Sequence, residues 1–305
     1  MASIDKKVTA EFLPFFRVYN DGSVERLLGS PTVPPTPEDP ETGVSSKDIT
    51  ISQKPAISAR LYIPKLTQPN QKFPILVYFH GGAFCVESAF SSDHQRLAPE
   101  HTLPIAYEDS WAAFQWVAAH SIEDAKETWL ADHGDFKRVF TGGDSAGANI
   151  AHNITMRAGA EKVNGGLNIL GAFLTHPLFF GSKPIGSESC VGHEKSLACS
   201  LWNYMYPGAP DGADNPLMNP VGPGAASLAG LGCAWLLVTV AEKDGLRDRG
   251  VFYYNAVKES GWEGEMELIE VEGEDHACQI IRFGTANAKN LIKTLASFLL
   301  KQLKS

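Results

Sequence analysis

Apolar and polar positions sort this chain into short unbroken apolar runs separated by longer mixed segments. Phe73-Pro74-Ile75-Leu76-Val77-Tyr78-Phe79 is the clearest run. A run that is apolar on both faces suits a strand buried in a parallel sheet. Arg138 to Thr141, Leu167 to Leu174 and Trp235 to Ala241 read the same way. Lys47 to Ser52 and Ala59 to Tyr62 read as two strands ahead of them. The segment from Leu268 to Glu272 alternates apolar and acidic residues, as a strand with one wet face does. Between the strands, residues 107–120 pattern as an amphipathic helix, and residues 148–159 and Leu246 to Ser260 as two more. Ala286 to Leu303 reads as a closing helix. Strands alternating with helices predict an α/β domain built on a mostly parallel sheet.

Two segments fall outside that rhythm. Residues 1–45 form a mixed opening that includes the extended, proline-rich loop from Thr32 to Pro40. Residues 180–225 are rich in Gly, Pro, Ser and Asn around a short aromatic stretch, Leu201-Trp202-Asn203-Tyr204-Met205-Tyr206. An insertion of this kind between core strands suits a cap over a cleft, where aromatic side chains are the usual lining. The expected organisation is one domain over residues 1–305, with a cap contributed by about 1–45 and 180–225.

Composition narrows the classes of partner. A hydrophobic fraction of 44% supports a sizeable core, and a net charge of −9 argues against nucleic acid or an anionic membrane surface. The start of the chain lacks the apolar centre of a signal peptide, and no apolar stretch is long enough to span a bilayer. Cys85, Cys190, Cys199, Cys233 and Cys278 show no C-x-x-C spacing, which suits free thiols in a reducing compartment. The expectation is a cytoplasmic protein, and the Asn153-Ile154-Thr155 sequon reads as chance.

The ends of the apolar runs carry the chemistry. Gly143-x-Ser145-x-Gly147 lies between a strand-like and a helix-like piece, the context of a nucleophile elbow. His80-Gly81-Gly82-Ala83-Phe84 follows the Phe73–Phe79 strand. Two adjacent glycines there can aim backbone N–H groups at one spot, as oxyanion stabilisation requires. Asp244 stands just past the Trp235–Ala241 strand, and His276 lies in the loop after Glu272. Nucleophile, acid and base thus follow in the order of α/β hydrolases. Glu242, Asp248 and Asp275 are rival acids. Asp244 is preferred because Asp248 falls inside the next helix and Asp275 adjoins the base in sequence. No metal spacing occurs around Asp93, His94 and His101, and His193-Glu194 lacks the second histidine of a zincin helix. His152 reads as a packed histidine, and His176-Pro177 as a structural turn.

Several segments together give the chain a family resemblance. Phe15 to Arg26, His80 to Phe84, Arg96 to His101, Gly143 to Asn153, Ala241 to Gly250 and Gly273 to His276 all resemble landmarks of plant carboxylesterases in the hormone-sensitive-lipase branch of α/β hydrolases. The resemblance covers nearly the whole length. It implies the α/β-hydrolase fold, a central parallel sheet flanked by helices with a small cap. It implies a triad of Ser145, Asp244 and His276, with oxyanion amides from Gly81, Gly82 and Ala146. It implies hydrolysis of small apolar or short-acyl esters through an acyl-enzyme, without metal or cofactor, by a monomer or weak homodimer. Phe15, Phe16, Phe84, Val86, Phe179, Trp202 and Tyr206 are the expected walls of a confined apolar pocket. The same branch holds dehydratases that eliminate water from hydroxyisoflavanones, where threonine occurs at the nucleophile position, and a gibberellin receptor that lacks the histidine. Ser145 counts against the dehydratases and His276 against the receptor, but an intact triad can also serve an elimination, so a dehydratase and a non-catalytic hormone-binding protein stay as alternatives. One departure stands out. Family members carry a helix and a further central strand ahead of the segment matching Arg96–His101. Here no apolar run of strand length occurs in residues 83–106, so a central strand is expected to be missing between Gln95 and Arg96.

Overall fold

The structure, a computed structural model, describes residues 6–31, 33–88, 97–122 and 127–301. The chain opens with an antiparallel meander of β1 (Val8–Phe12), β2 (Phe16–Tyr19) and β3 (Val24–Arg26), followed by a hairpin of β4 (Ser45–Gln53) and β5 (Ala56–Ile63). The main sheet has five strands, β6 (Phe73–Phe79), β7 (Gly134–Asp144), β8 (Ile169–Thr175), β9 (Cys233–Ala241) and β10 (Glu265–Val271). They lie side by side in that order, and every pair is parallel. The helices are α1 (Ile105–Ala119), α2 (Thr128–His133), α3 (Ala146–Ala160), α4 (Leu197–Met205), α5 (Arg247–Glu259), α6 (Cys278–Ile281) and α7 (Ala286–Leu299).

Alternation along the strands explains the layering. Val139, Leu236 and Val238 face a large apolar cluster with Phe114 of α1, Ile154 of α3 and Tyr253 of α5. Their neighbours Phe140 and Leu237 face the other way, onto Phe173, Trp235 and Phe298 of α7. Successive side chains on a strand point to opposite faces, so a run apolar at every position is buried on both. This is the α/β sandwich that the apolar runs predicted. The opening segment does more than the sequence pattern showed. Its meander packs on α4, with Tyr204 ring centroids 4.7 Å from Phe12 and 6.1 Å from Phe16.

A central strand was expected to be missing between Gln95 and Arg96. The junction between Gln95 and Arg96 lies outside the described residues, as do Asp93 and His94. Among the described residues, β6 is the last strand of its sheet, and the β4–β5 hairpin forms a separate sheet. A cavity of about 250 Å³ lies between them. Residues 56–61 of β5 and 75–79 of β6 border it one after another, so strand edges rather than faces look into it. Ile49, Leu76 and Val117 contribute apolar walls. The hairpin has not moved over to pair with β6.

Candidate active site

Ser145 occupies the turn between β7 and α3 with φ 53° and ψ −118°. Such a backbone is strained for any side chain and persists only when its surroundings hold it. Three backbone bonds do so. The Ser145 N–H donates to Thr175 O at 2.9 Å, and its carbonyl accepts from Asn149 at 3.1 Å and Leu178 at 3.0 Å. The flanking glycines allow the close passage of β6. A Cβ on Gly147 would lie 2.0 Å from Phe79 O and 2.5 Å from His80 O, and one on Gly143 would lie 2.5 Å from Phe79 O. The end of β6 and the start of α3 are therefore in backbone contact beneath the serine.

Asp244 and His276 come together from the ends of β9 and β10. The Asp244 carboxylate is buried at 7% exposure, and its Oδ2 accepts from His276 Nδ1 at 2.7 Å. Its Oδ1 accepts from the Leu246 N–H at 2.9 Å, which fixes the carboxylate plane. None of the rival acids is bonded to the ring. Glu242 accepts from the Gly273 N–H, Asp248 from Ser187 N–H and Arg247, and Asp275 from the backbone N–H of His276. Ser145 is 8% exposed, and its hydroxyl has no hydrogen-bonded partner among the described residues.

The oxyanion loop differs from its sequence reading at one residue. Gly81 was expected to present its N–H to the oxyanion. Instead that N–H donates to Asp144 Oδ1 at 3.0 Å. A Cβ at Gly81 would lie 2.2 Å from the other carboxylate oxygen, so only glycine lets the loop close on Asp144. Tyr78 donates its hydroxyl to the same carboxylate at 2.5 Å. Burial of that hydroxyl, with the Asp144 charge beside it, holds the phenol protonated far above its usual range. Asp144 thus ties the oxyanion loop to the elbow. Gly82, Ala83 and Ala146 follow as the amides without a bonded acceptor among the described residues.

The seven side chains expected to wall a pocket all belong to one apolar cluster or pack against it. Phe179 packs on Tyr253 and His152, 4.9 and 5.5 Å away between centroids. Phe84 packs on Tyr107 at 5.9 Å and borders the cavity beside β6. Trp202 is fully buried against Tyr206 and donates to Gly212 O. Phe16 and Val86 are fully buried too, whereas Phe15 and Tyr206 are only half-buried.

Two histidines behave as buried neutral groups. Burial lowers the His152 pKa to about 3, and its ring lies 2.9 Å from the Tyr253 hydroxyl. His176 at the end of β8 is 1% exposed and held at about 4, chiefly by burial and further by His276. It lies beside the bonded Asp244–His276 pair, its ring centroid 5.8 Å from that of His276. The sequence placed it at a turn and gave no sign of this contact. His176, Asp244 and His276 are the one trio among the described residues close enough to hold a metal ion. Their donor atoms suit that poorly. His276 Nδ1 is engaged with Asp244, and His176 Nδ1 accepts from the Ala277 N–H at 2.9 Å.

Comparisons with known proteins agree with this architecture. The profile of the α/β-hydrolase fold matches residues 94–280. A 2-hydroxyisoflavanone dehydratase from Glycyrrhiza echinata is 56% identical over 317 residues, covering 96% of this chain and 97% of that protein. Probable carboxylesterase 2 from Arabidopsis thaliana is 41% identical over 318 residues, covering 98% of each. An esterase from Pyrobaculum calidifontis has a similar solved structure, with a TM-score of 0.66 at 25% identity over 83% of this chain and 84% of that one. The chain belongs to the α/β-hydrolase family, within the plant group that holds carboxylesterases and 2-hydroxyisoflavanone dehydratases. The Glycyrrhiza alignment is longer than the 305 residues of this chain, so that relative carries residues with no counterpart here.

Proposed function

We propose that this chain hydrolyses small apolar or short-acyl carboxylic esters, with Ser145 as nucleophile, His276 as base and Asp244 as its orienting acid. The observation that carries the reading is the combination of a strained Ser145 at the head of α3 with His276 bonded to a buried Asp244 at 2.7 Å. His276 takes the Ser145 proton as the serine oxygen attacks the ester carbonyl. The amides of Gly82, Ala83 and Ala146 hold the charge on the carbonyl oxygen. His276 then protonates the departing alcohol, and water, activated by the same ring, releases the acid and restores Ser145. Asp244 holds the Nδ1–H tautomer, which leaves Nε2 free to accept the proton.

The identity of 56% to a 2-hydroxyisoflavanone dehydratase favours a second reading for the same residues. In it His276 removes the proton beside the ketone of a 2-hydroxyisoflavanone, and the amides hold the enolate oxygen. The neighbouring hydroxyl then leaves as water with the proton from His276. Purified protein assayed with p-nitrophenyl esters from acetate to palmitate, and with a 2-hydroxyisoflavanone, decides between them. Turnover of the short esters, with no water loss from the isoflavanone, supports the first reading. Water loss alone supports the second.

A further inference from the structure

We propose that His176 is the positioning residue of the base, its Nδ1 gripping the backbone beside His276 and so keeping His276 on Asp244. The inference rests on the reading of Asp244 and His276 as the catalytic pair.

Three bonds converge where β8 ends. Thr175 O accepts the Ser145 N–H at 2.9 Å, the His176 N–H donates to Thr239 O at 2.8 Å, and His176 Nδ1 accepts the Ala277 N–H at 2.9 Å. Thr175 and His176 thereby join the nucleophile turn, the acid strand and the base loop. The third bond is the one that involves a side chain. It joins two residues in left-handed backbone, His176 at φ 47° and Ala277 at φ 52°. Neither is glycine, so the surroundings must hold both conformations in place. Ala277 directly follows His276, and the position of its peptide sets where the catalytic ring stands.

The state of the ring fits this role. To accept at Nδ1, His176 must be neutral with its proton on Nε2. Burial keeps it neutral down to a pKa of about 4, aided by the like charge of His276 and opposed by Asp244 and Asp275, the acids that face it. Its Nε2 is buried without a partner among the described residues. An apolar side chain would fill this place without that unmet donor. The acceptor on the ring's other side accounts for a histidine here.

The test compares His176→Asn, His176→Gln and His176→Leu. Asparagine keeps an acceptor close to the Nδ1 position and tolerates positive φ. Glutamine carries its acceptor one bond further out, and leucine has none. The first readout is the low-field proton resonance of His276 Nδ1–H shared with Asp244, which needs no substrate. It is expected in the wild type and His176→Asn, and lost in His176→Gln and in folded His176→Leu. The second is turnover of a short ester. In the Gln and Leu variants kcat is expected to fall about 10²-fold, as for a misplacement near 1 Å, with KM little changed, while His176→Asn stays within about threefold of wild type. Should His176→Leu fail to fold, the Asn–Gln pair carries the comparison. A resonance and kcat in His176→Gln equal to the wild type's overturn the proposal. A wild type that shows the resonance but turns over neither esters nor the isoflavanone overturns the catalytic reading, a result separable from the first.

Discussion

Replacing Gly147 with alanine separates two opposed physical effects at the elbow. Gly147 lies in the first turn of α3, where alanine is the better helix former by about 1 kcal/mol. Local propensity alone therefore predicts a more stable protein. The structure predicts the reverse. The new Cβ would stand 2.0 Å from Phe79 O, and real Cβ atoms essentially never approach within 3.0 Å. Either the end of β6 or the start of α3 must give way by about 1 Å, the scale at which misplaced groups cost about 10²-fold in rate. The obstacle is backbone on both sides, Phe79 O and His80 O, so no side-chain rotation relieves it. Overpacking of this kind costs about 1–3 kcal/mol, which outweighs the propensity gain. The displaced atoms lead straight into the loop of Gly82 and Ala83 and bear on Ala146, so oxyanion donors move as well. Gly147→Ala is expected to melt a few degrees lower and to lose about 10²-fold or more in kcat on a short p-nitrophenyl ester. The assay is a thermal melt beside kcat and KM. A variant that melts higher with kcat unchanged would show that the strand and helix are not in the contact described, and the reasoning would fail.

Other predictions follow from the same geometry. Asp244→Asn should lose about 10⁴-fold in kcat, because an amide no longer selects the His276 tautomer; a variant within tenfold of wild type would exclude Asp244 as the acid. His152 and His176 are depressed by burial to about 3 and 4, below an ordinary histidine near 6.5. The unfolded chain then binds protons that the folded one refuses, so their stabilising effect is complete above about pH 6.5 and is lost as pH falls toward 4 and then 3. The melting-temperature difference between wild type and His152→Gln should shrink over that range, and a difference independent of pH would contradict the assignment. Inserting the corresponding segment of a longer relative between Gln95 and Arg96 should raise both melting temperature and kcat, because β6 leads directly into the oxyanion loop and its open edge faces a cavity. Equal melts and equal turnover in the two versions would show that the β6 edge needs no neighbour.

Adjacent residues determined much of what the sequence revealed by itself. Unbroken apolar runs marked β6, β8 and β9, because a strand covered on both faces must be apolar at every position. Gly143-x-Ser145-x-Gly147 located the elbow, since a turn this tight excludes larger side chains at those positions. The chain order of Ser145, Asp244 and His276 named the candidate triad. Tertiary structure alone decided how distant segments meet. Gly81 gives its N–H to Asp144 because β6 passes over the head of α3, a contact 63 residues apart in sequence. His176 meets Ala277 only because β8 and the base loop end side by side in space. Phe16 and Phe179 are buried by segments far from them in sequence, Phe16 beside Tyr204 and Phe179 beside Tyr253. The hairpin and β6 stay apart around a cavity, although each segment is strand-like by its own pattern. Local pattern reports what a segment can become, because propensity and burial act over a few residues. Which backbone amide faces a substrate, and which histidine steadies another, depends on long-range packing that no short segment encodes.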